Sequence, residues 1–97
     1  MKIYIAGPMT GYKELNFPAF AATATRLRAQ GYEVISPAEV NPDLNADWLE
    51  CMLVDMKLVS ECDAIYMLYG WELSSGARIE HIVAKKLNLQ ITYEQDD

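Results

Sequence analysis

The chain has 97 residues, 8 of them basic and 14 acidic, for a net charge of −6. That length admits one domain, read as residues 1–97, whose limited core is the kind that oligomerisation often supplements. The acidic balance argues against nucleic-acid polymers and anionic membranes as main partners, since both are bound through basic surface, but a small phosphorylated ligand needs only a few local donors.

The opening MKIYIAGPM holds an apolar run too short for a signal peptide, and no segment approaches transmembrane length. KIYIA (2–6) reads as a β-branched and aromatic strand that ends at the turn GPMTG. PAFAATATRLRAQ (18–30) reads as a helix, with Pro18 at a first helical position and Gly31 as its stop. YEVIS (32–36) is a second strand, and Pro37 with Asn41-Pro42 marks a loop. From about Ala46 to Ser60, Leu49, Met52, Leu53, Met56 and Val59 recur at helical spacing. DAIYMLY (63–69) is a nearly continuous apolar strand, the pattern of a strand covered on both faces. GWELSSGARIE (70–80) then opens a helix running to about Asn88, and LQITY (89–93) is a last strand. Cys51 and Cys62 do not form a disulfide scaffold, which fits a reducing cytoplasm.

Strand and helix alternate throughout, so the expected fold is α/β: a small three-layer Rossmann- or flavodoxin-like arrangement with a parallel sheet of about four strands. Ligands in such sheets bind beyond the carboxyl ends of the strands. The loops GPMTG and GWELSSG are therefore the two places to look.

Glu80 follows the second of these loops. With Ser75 as N-cap, its side chain leans back toward the mouth of the crevice. The alternative reading is an exposed acid favoured by the helix dipole. Asp55 has Cys51, Met52, Leu58 and Val59 as helical neighbours, an apolar setting in which an acid is costly unless used or paired. Ser74, Ser75 and Gly76 offer hydroxyls and free amides at a helix start, as either an anion cradle or a plain cap. Gly7 and Gly11 would let a ligand approach the backbone closely, although neither GxGxxG nor GxxxxGK[ST] is present. Trp71 is placed to stack on a ring, Trp48 and Tyr4 read as core, and His81 reads as a surface residue directed toward Lys85 and Asn88. A lone histidine supplies neither a usual zinc site nor a catalytic triad.

Taken together, YIAGPMTG, NFPAF, the helix with Asp55, CDAIYML and GWELSSGARIE resemble the nucleoside 2-deoxyribosyltransferase-like superfamily. More closely, the whole chain resembles a bacterial and phage branch of it that shares YIAGPMTG, NFPAF and GWE-x-S-x-GA-x-x-E. The resemblance implies that Glu80 attacks C1′ of a deoxyribose, that Asp55 handles the base or leaving group, and that Tyr4 lines the site. Ser74 stands where the transferases have an acid, and is similar in this to the 2′-deoxynucleoside 5′-phosphate N-hydrolases, in which a serine holds the 5′-phosphate. Arg78 and Thr10 depart from those hydrolases, which carry a small residue and a basic residue at the two positions. Arg78 then either replaces that charge near the phosphate or blocks the site.

The expected function is cleavage or transfer at the N-glycosidic bond of a 2′-deoxynucleoside or its 5′-monophosphate, with no metal or organic cofactor. Gly7, Pro8, Met9 and Thr10 would form the wall facing Ser74, Ser75, Gly76, Arg78 and Trp71. By the same resemblance the protein is expected to be at least a homodimer. The alternatives are a nucleotide-sensing module without turnover and a hydrolase of another N-glycosidic substrate.

Overall fold

The computed structural model describes residues 1–9, 11–40 and 47–94. Four strands, β1 (Lys2–Ala6), β2 (Glu33–Ile35), β3 (Ala64–Met67) and β4 (Gln90–Tyr93), form one parallel sheet in the order β2-β1-β3-β4. The helices are α1 (Phe17–Ala29), the short α2 (Pro37–Val40), α3 (Trp48–Ser60) and α4 (Ser75–Lys86). Single 3₁₀ turns cover Lys13–Asn16 and Trp71–Leu73.

The period of two along a strand divides the core into halves. Ile3 and Ile5 of β1 face α1 and pack with Phe20, Ala24 and Leu27. Tyr4 and Ala6, between and beyond them, face the other way and pack with Val59 of α3 and with Ala77 and Ala84 of α4. The sheet is therefore covered on both faces, as the expected three-layer arrangement requires.

Helix α1 buries Phe20, Thr23, Ala24 and Leu27, the i, i+3, i+4, i+7 stripe of an amphipathic helix. It stops where the sequence predicts: Gly31 has φ +95°, and the Tyr32 amide donates back to the Leu27 carbonyl at 3.3 Å. Its start is less ordinary. Glu14, Leu15 and Asn16 have φ of 54°, 52° and 63°, three successive left-handed residues without a glycine among them. The Asn16 side chain donates to the Pro8 carbonyl at 2.9 Å and ties this turn to the loop after β1.

The register of α3 departs from expectation. It buries Met52, Asp55 and Val59, while Leu49 and Leu53 are 57% and 56% exposed. Trp48, expected in the core, is 51% exposed at the start of the same helix. Two apolar stripes run along α3, and packing against β1 and α4 selects the one that contains the acid.

The chain passes from β1 out to β2 and returns past β1 to β3, so the strand order reverses between β1 and β3. That reversal is the switch point at which open α/β sheets bind ligands. On the α1 face, Arg26 donates to the Tyr66 hydroxyl at 2.8 Å; with Gln30, Gln90 and Thr92 these residues line a separate groove of about 380 Å³.

Candidate active site

Three elements meet beside the switch point. Tyr4 of β1, Asp55 of α3 and Glu80 of α4 are 0%, 8% and 4% exposed. The Tyr4 hydroxyl donates to Glu80 Oε2 across 76 residues of sequence. Burial pushes the Glu80 carboxyl up to about 8; the Tyr4 hydrogen bond works against that rise, and the charge of Asp55 adds to it. Tyr4 is held well above the usual phenol range, first by burial and then by the charges of Glu80 and Asp55. The expectation of Tyr4 as core is met, and the same side chain also carries the polar contact at the centre of the cluster.

Ser74, not Ser75, caps α4. Ser74 has extended backbone (φ −107°, ψ 121°) and its Oγ accepts from the Ala77 amide at 3.2 Å, whereas Ser75 is already the first helical residue. The shift places Glu80 six positions past the cap, on the stripe with Ala77 and Ala84, which is why it is buried. The first-turn amides of Ser75 and Gly76 lie at the open end of the helix. A Cβ on Gly76 would meet Met52 Sδ at 3.1 Å, and Trp48 Nε1 lies 3.9 Å from the same point, so the glycine lets the start of α3 close against α4.

Arg78 is exposed, with no ion pair among the described residues. It lies two positions before Glu80, about 200° around the helix, and so does not obstruct that carboxylate.

On the opposite wall the loop after β1 packs against the rest of the protein. Gly7 and Pro8 are buried, and a Cβ on Gly7 would lie 2.7 Å from Leu68 Cβ, so the glycine allows the ends of β1 and β3 to meet. Met9 packs on the α1 side of the sheet. Thr10 lies outside the described residues. Gly11 has φ +86° with open space around it. Gly70, also at φ +86°, would place a Cβ 2.9 Å from the Tyr12 hydroxyl and 3.5 Å from Pro8, so the two crevice loops touch there.

Trp71 stacks on a ring belonging to the protein itself. Its centroid lies 4.3 Å from that of His81 and 5.9 Å from that of Tyr93. His81 is thus directed at β4 rather than toward Lys85 and Asn88, and its Nε2 is 2.8 Å from the Tyr93 hydroxyl. Burial, with a smaller contribution from Lys85, lowers its pKa.

Tyr12, Asn16 and Leu68 shape the crevice and were not singled out by sequence reading. Asn16 alone had a signal, as a polar residue immediately before the Phe-Pro helix start. Among the described residues no three His, Cys, Asp or Glu side chains are grouped to hold a metal ion, and no helix is long and apolar enough to cross a membrane.

Residues 1–93 match the family described as "Domain of unknown function (DUF4406)". The chain belongs to this family. No curated protein matches the DUF4406 chain by sequence. Among solved structures it is similar to a 2-deoxyribosyltransferase from Bacillus psychrosaccharolyticus, at 19% identity with a TM-score of 0.76, over 100% of this chain and 77% of that one. At that identity the likeness establishes the fold, a parallel α/β sheet with helices on both faces.

Proposed function

We propose that the protein cleaves or transfers the N-glycosidic bond of a 2′-deoxynucleoside or its 5′-monophosphate. The observation that carries this reading is the buried Glu80 carboxyl, held by Tyr4 and close to Asp55, at the switch point of a sheet shaped like that of a 2-deoxyribosyltransferase.

In the first step a Glu80 oxygen bonds to the anomeric carbon as the bond from that carbon to the base nitrogen breaks. The positive charge developing on the sugar ring is what a nearby carboxylate stabilises. Tyr4 keeps its hydrogen bond to the other oxygen and fixes the direction of attack. Asp55 delivers a proton to the departing base, a contribution typically worth ~10²–10⁴-fold. In the second step water or a second base attacks the anomeric carbon and gives its proton back to Asp55, while the bond to Glu80 breaks and Glu80 returns as carboxylate.

Glu80 must be ionised to attack, so kcat/KM rises as pH approaches about 8. A 5′-phosphate would sit at the Ser74–Gly76 helix start, within reach of Arg78 from the outside of the same turn.

The test is to incubate the protein with a panel of deoxynucleosides, ribonucleosides and their monophosphates and to measure free base. The reading expects release from at least one deoxy substrate, and no release in Glu80→Ala. Release that survives this substitution removes Glu80 from the mechanism. The raised pKa of Glu80 favours a second reading, in which a neutral acid binds a nucleotide without turnover. Ligand-dependent thermal stabilisation with no product distinguishes it.

A further inference from the structure

Helix coverage of the sheet is uneven. Helix α1 packs on β1 and β2 from one side, while α4 packs on β3 and β4 from the other. On the α1 side the β3–β4 half of the sheet is left open as the groove of about 380 Å³. The pairing register builds its floor. Ala64 sits beside Gln90 and Tyr66 beside Thr92, and residues two apart along a strand share a face. Ile3 of β1 and Leu27 of α1 complete the apolar part, and Gln30 stands one turn beyond Arg26 on the helix side.

The charge of the groove runs against that of the chain. The protein carries −6 overall, yet Arg26 is the one charged side chain among the described residues that line the groove. It forms no ion pair among the described residues. Its Nη2 donates to the Tyr66 hydroxyl at 2.8 Å, and its guanidinium carbon lies 5.5 Å from the centroid of that ring. The two contacts orient the guanidinium plane, whose remaining N–H groups form the fork that matches a carboxylate or phosphate with two parallel hydrogen bonds. Small-molecule sites are clefts of about 300–1,000 Å³ with a mostly apolar lining and a few converging polar groups. This groove has that composition, and its flat floor of strand side chains beside the Tyr66 ring suits a ring better than a flexible chain.

We propose that the groove is a second ligand site, which takes a planar aromatic molecule bearing one carboxylate or phosphate group. The anionic group pairs with Arg26, the ring lies on Ile3, Leu27 and Ala64, and the amides of Gln30 and Gln90 meet its polar edge. Glu80 lies across the sheet, on the face covered by α3 and α4, so a molecule bound here does not compete with one bound there. The proposal therefore stands apart from the glycosidic chemistry proposed above.

Amide NMR titrations of the full chain test it. The anionic probes are indole-3-acetate for the carboxylate and deoxyadenosine 5′-monophosphate for the phosphate, with indole and deoxyadenosine as their neutral counterparts. The phosphate arm is run on Glu80→Gln as well as wild type, so that turnover at the other site does not consume the probe. At least one anion is expected to shift the amides of Gln30, Tyr66 and Thr92 saturably, and its neutral counterpart to bind at least ~10-fold more weakly. The tighter of the two anions assigns the group. Arg26→Ala is expected to weaken binding at least ~10-fold, and Arg26→Lys, which keeps the charge but not the fork, by less. Arg26 is exposed, so both variants are expected to keep the wild-type circular dichroism spectrum. Tyr66→Phe, which releases the guanidinium, is expected to cost about threefold. Groove amides unmoved by either anion up to ~10 mM overturn the proposal. So does binding indifferent to Arg26→Ala, or shifts confined to Ser74–Glu80. Groove amides that shift on dilution without any probe would show a second copy in the groove, which also overturns it.

Discussion

Glu80 and His81 are neighbours in sequence, and each is paired with a tyrosine hydroxyl: Glu80 with Tyr4 inside the molecule, His81 with Tyr93 at the open edge of the sheet. Burial shifts both toward their neutral forms, the acid upward and the base downward. The extent of the shift follows the surroundings. Glu80 is closed in by two helices and the central strand, and Asp55 adds its charge; His81 lies against one indole ring and one exposed tyrosine. A turn of 100° along α4 therefore separates a group displaced into the range where it titrates near neutrality from one that fastens a loop to the edge strand.

The comparison is broken most severely by removing the inner acid. Glu80→Gln preserves the shape and the acceptor for Tyr4 but removes the proposed nucleophile, and base release is expected to fall by at least ~10³-fold. Tyr4→Phe comes next, with a loss of about 10- to 100-fold in kcat as the direction of attack loosens. Because Tyr4 holds the Glu80 pKa down, its removal should also move the rise in kcat/KM to higher pH. An unmoved pH profile would show that the hydrogen bond does not govern the ionisation of Glu80.

Stability gives a third measure, of opposite sign. Glu80 has a folded pKa of about 8, above the ordinary carboxyl value of 4.5 that it recovers on unfolding. Between those values the folded chain holds a proton that the unfolded chain releases, so stability falls as pH rises through that window. Glu80→Gln is therefore expected to raise the Tm over wild type by at least ~4 °C at pH 8 and by much less at pH 5, a shift of the size that about 1 kcal/mol makes in a domain of this length. Thermal scans at the two pH values decide it. The smallest effect is expected on the outer side: Tyr93→Phe should change base release by less than about twofold and stability by less than ~0.5 kcal/mol.

The strands were legible because short β-branched and aromatic runs between turn residues leave little choice, and β1 and β4 appear within a residue or so of where they were expected. The helix starts and stops were legible where proline or glycine constrains the backbone, as at Pro18 and Gly31. Helix α3 was not, because its apolar positions form two stripes. Leu49, Leu53 and Met56 give the more apolar stripe, and the chain buries the other, with Asp55 at its centre, against β1 and α4. Spacing along one helix does not contain that decision. The same holds for the site. Glu80, Asp55 and Tyr4 could each be suspected from local surroundings and from the resemblance, but the hydrogen bond between Tyr4 and Glu80 joins opposite ends of the chain. The contacts of Gly7 with Leu68 and of His81 with Tyr93 likewise exist only once the strand order is known.

The left-handed run at Glu14, Leu15 and Asn16 has a practical consequence. Backbone of this hand costs about 1–2 kcal/mol at each residue carrying a Cβ, and asparagine is the most tolerant of the three. The entry to α1 is thus a place where the chain forgoes thermal resistance to hold Asn16 against Pro8 and keep the first loop folded over Gly70. An engineer wanting a hardier version would place glycine at positions 14 and 15, relaxing the turn without touching the proposed catalytic cluster.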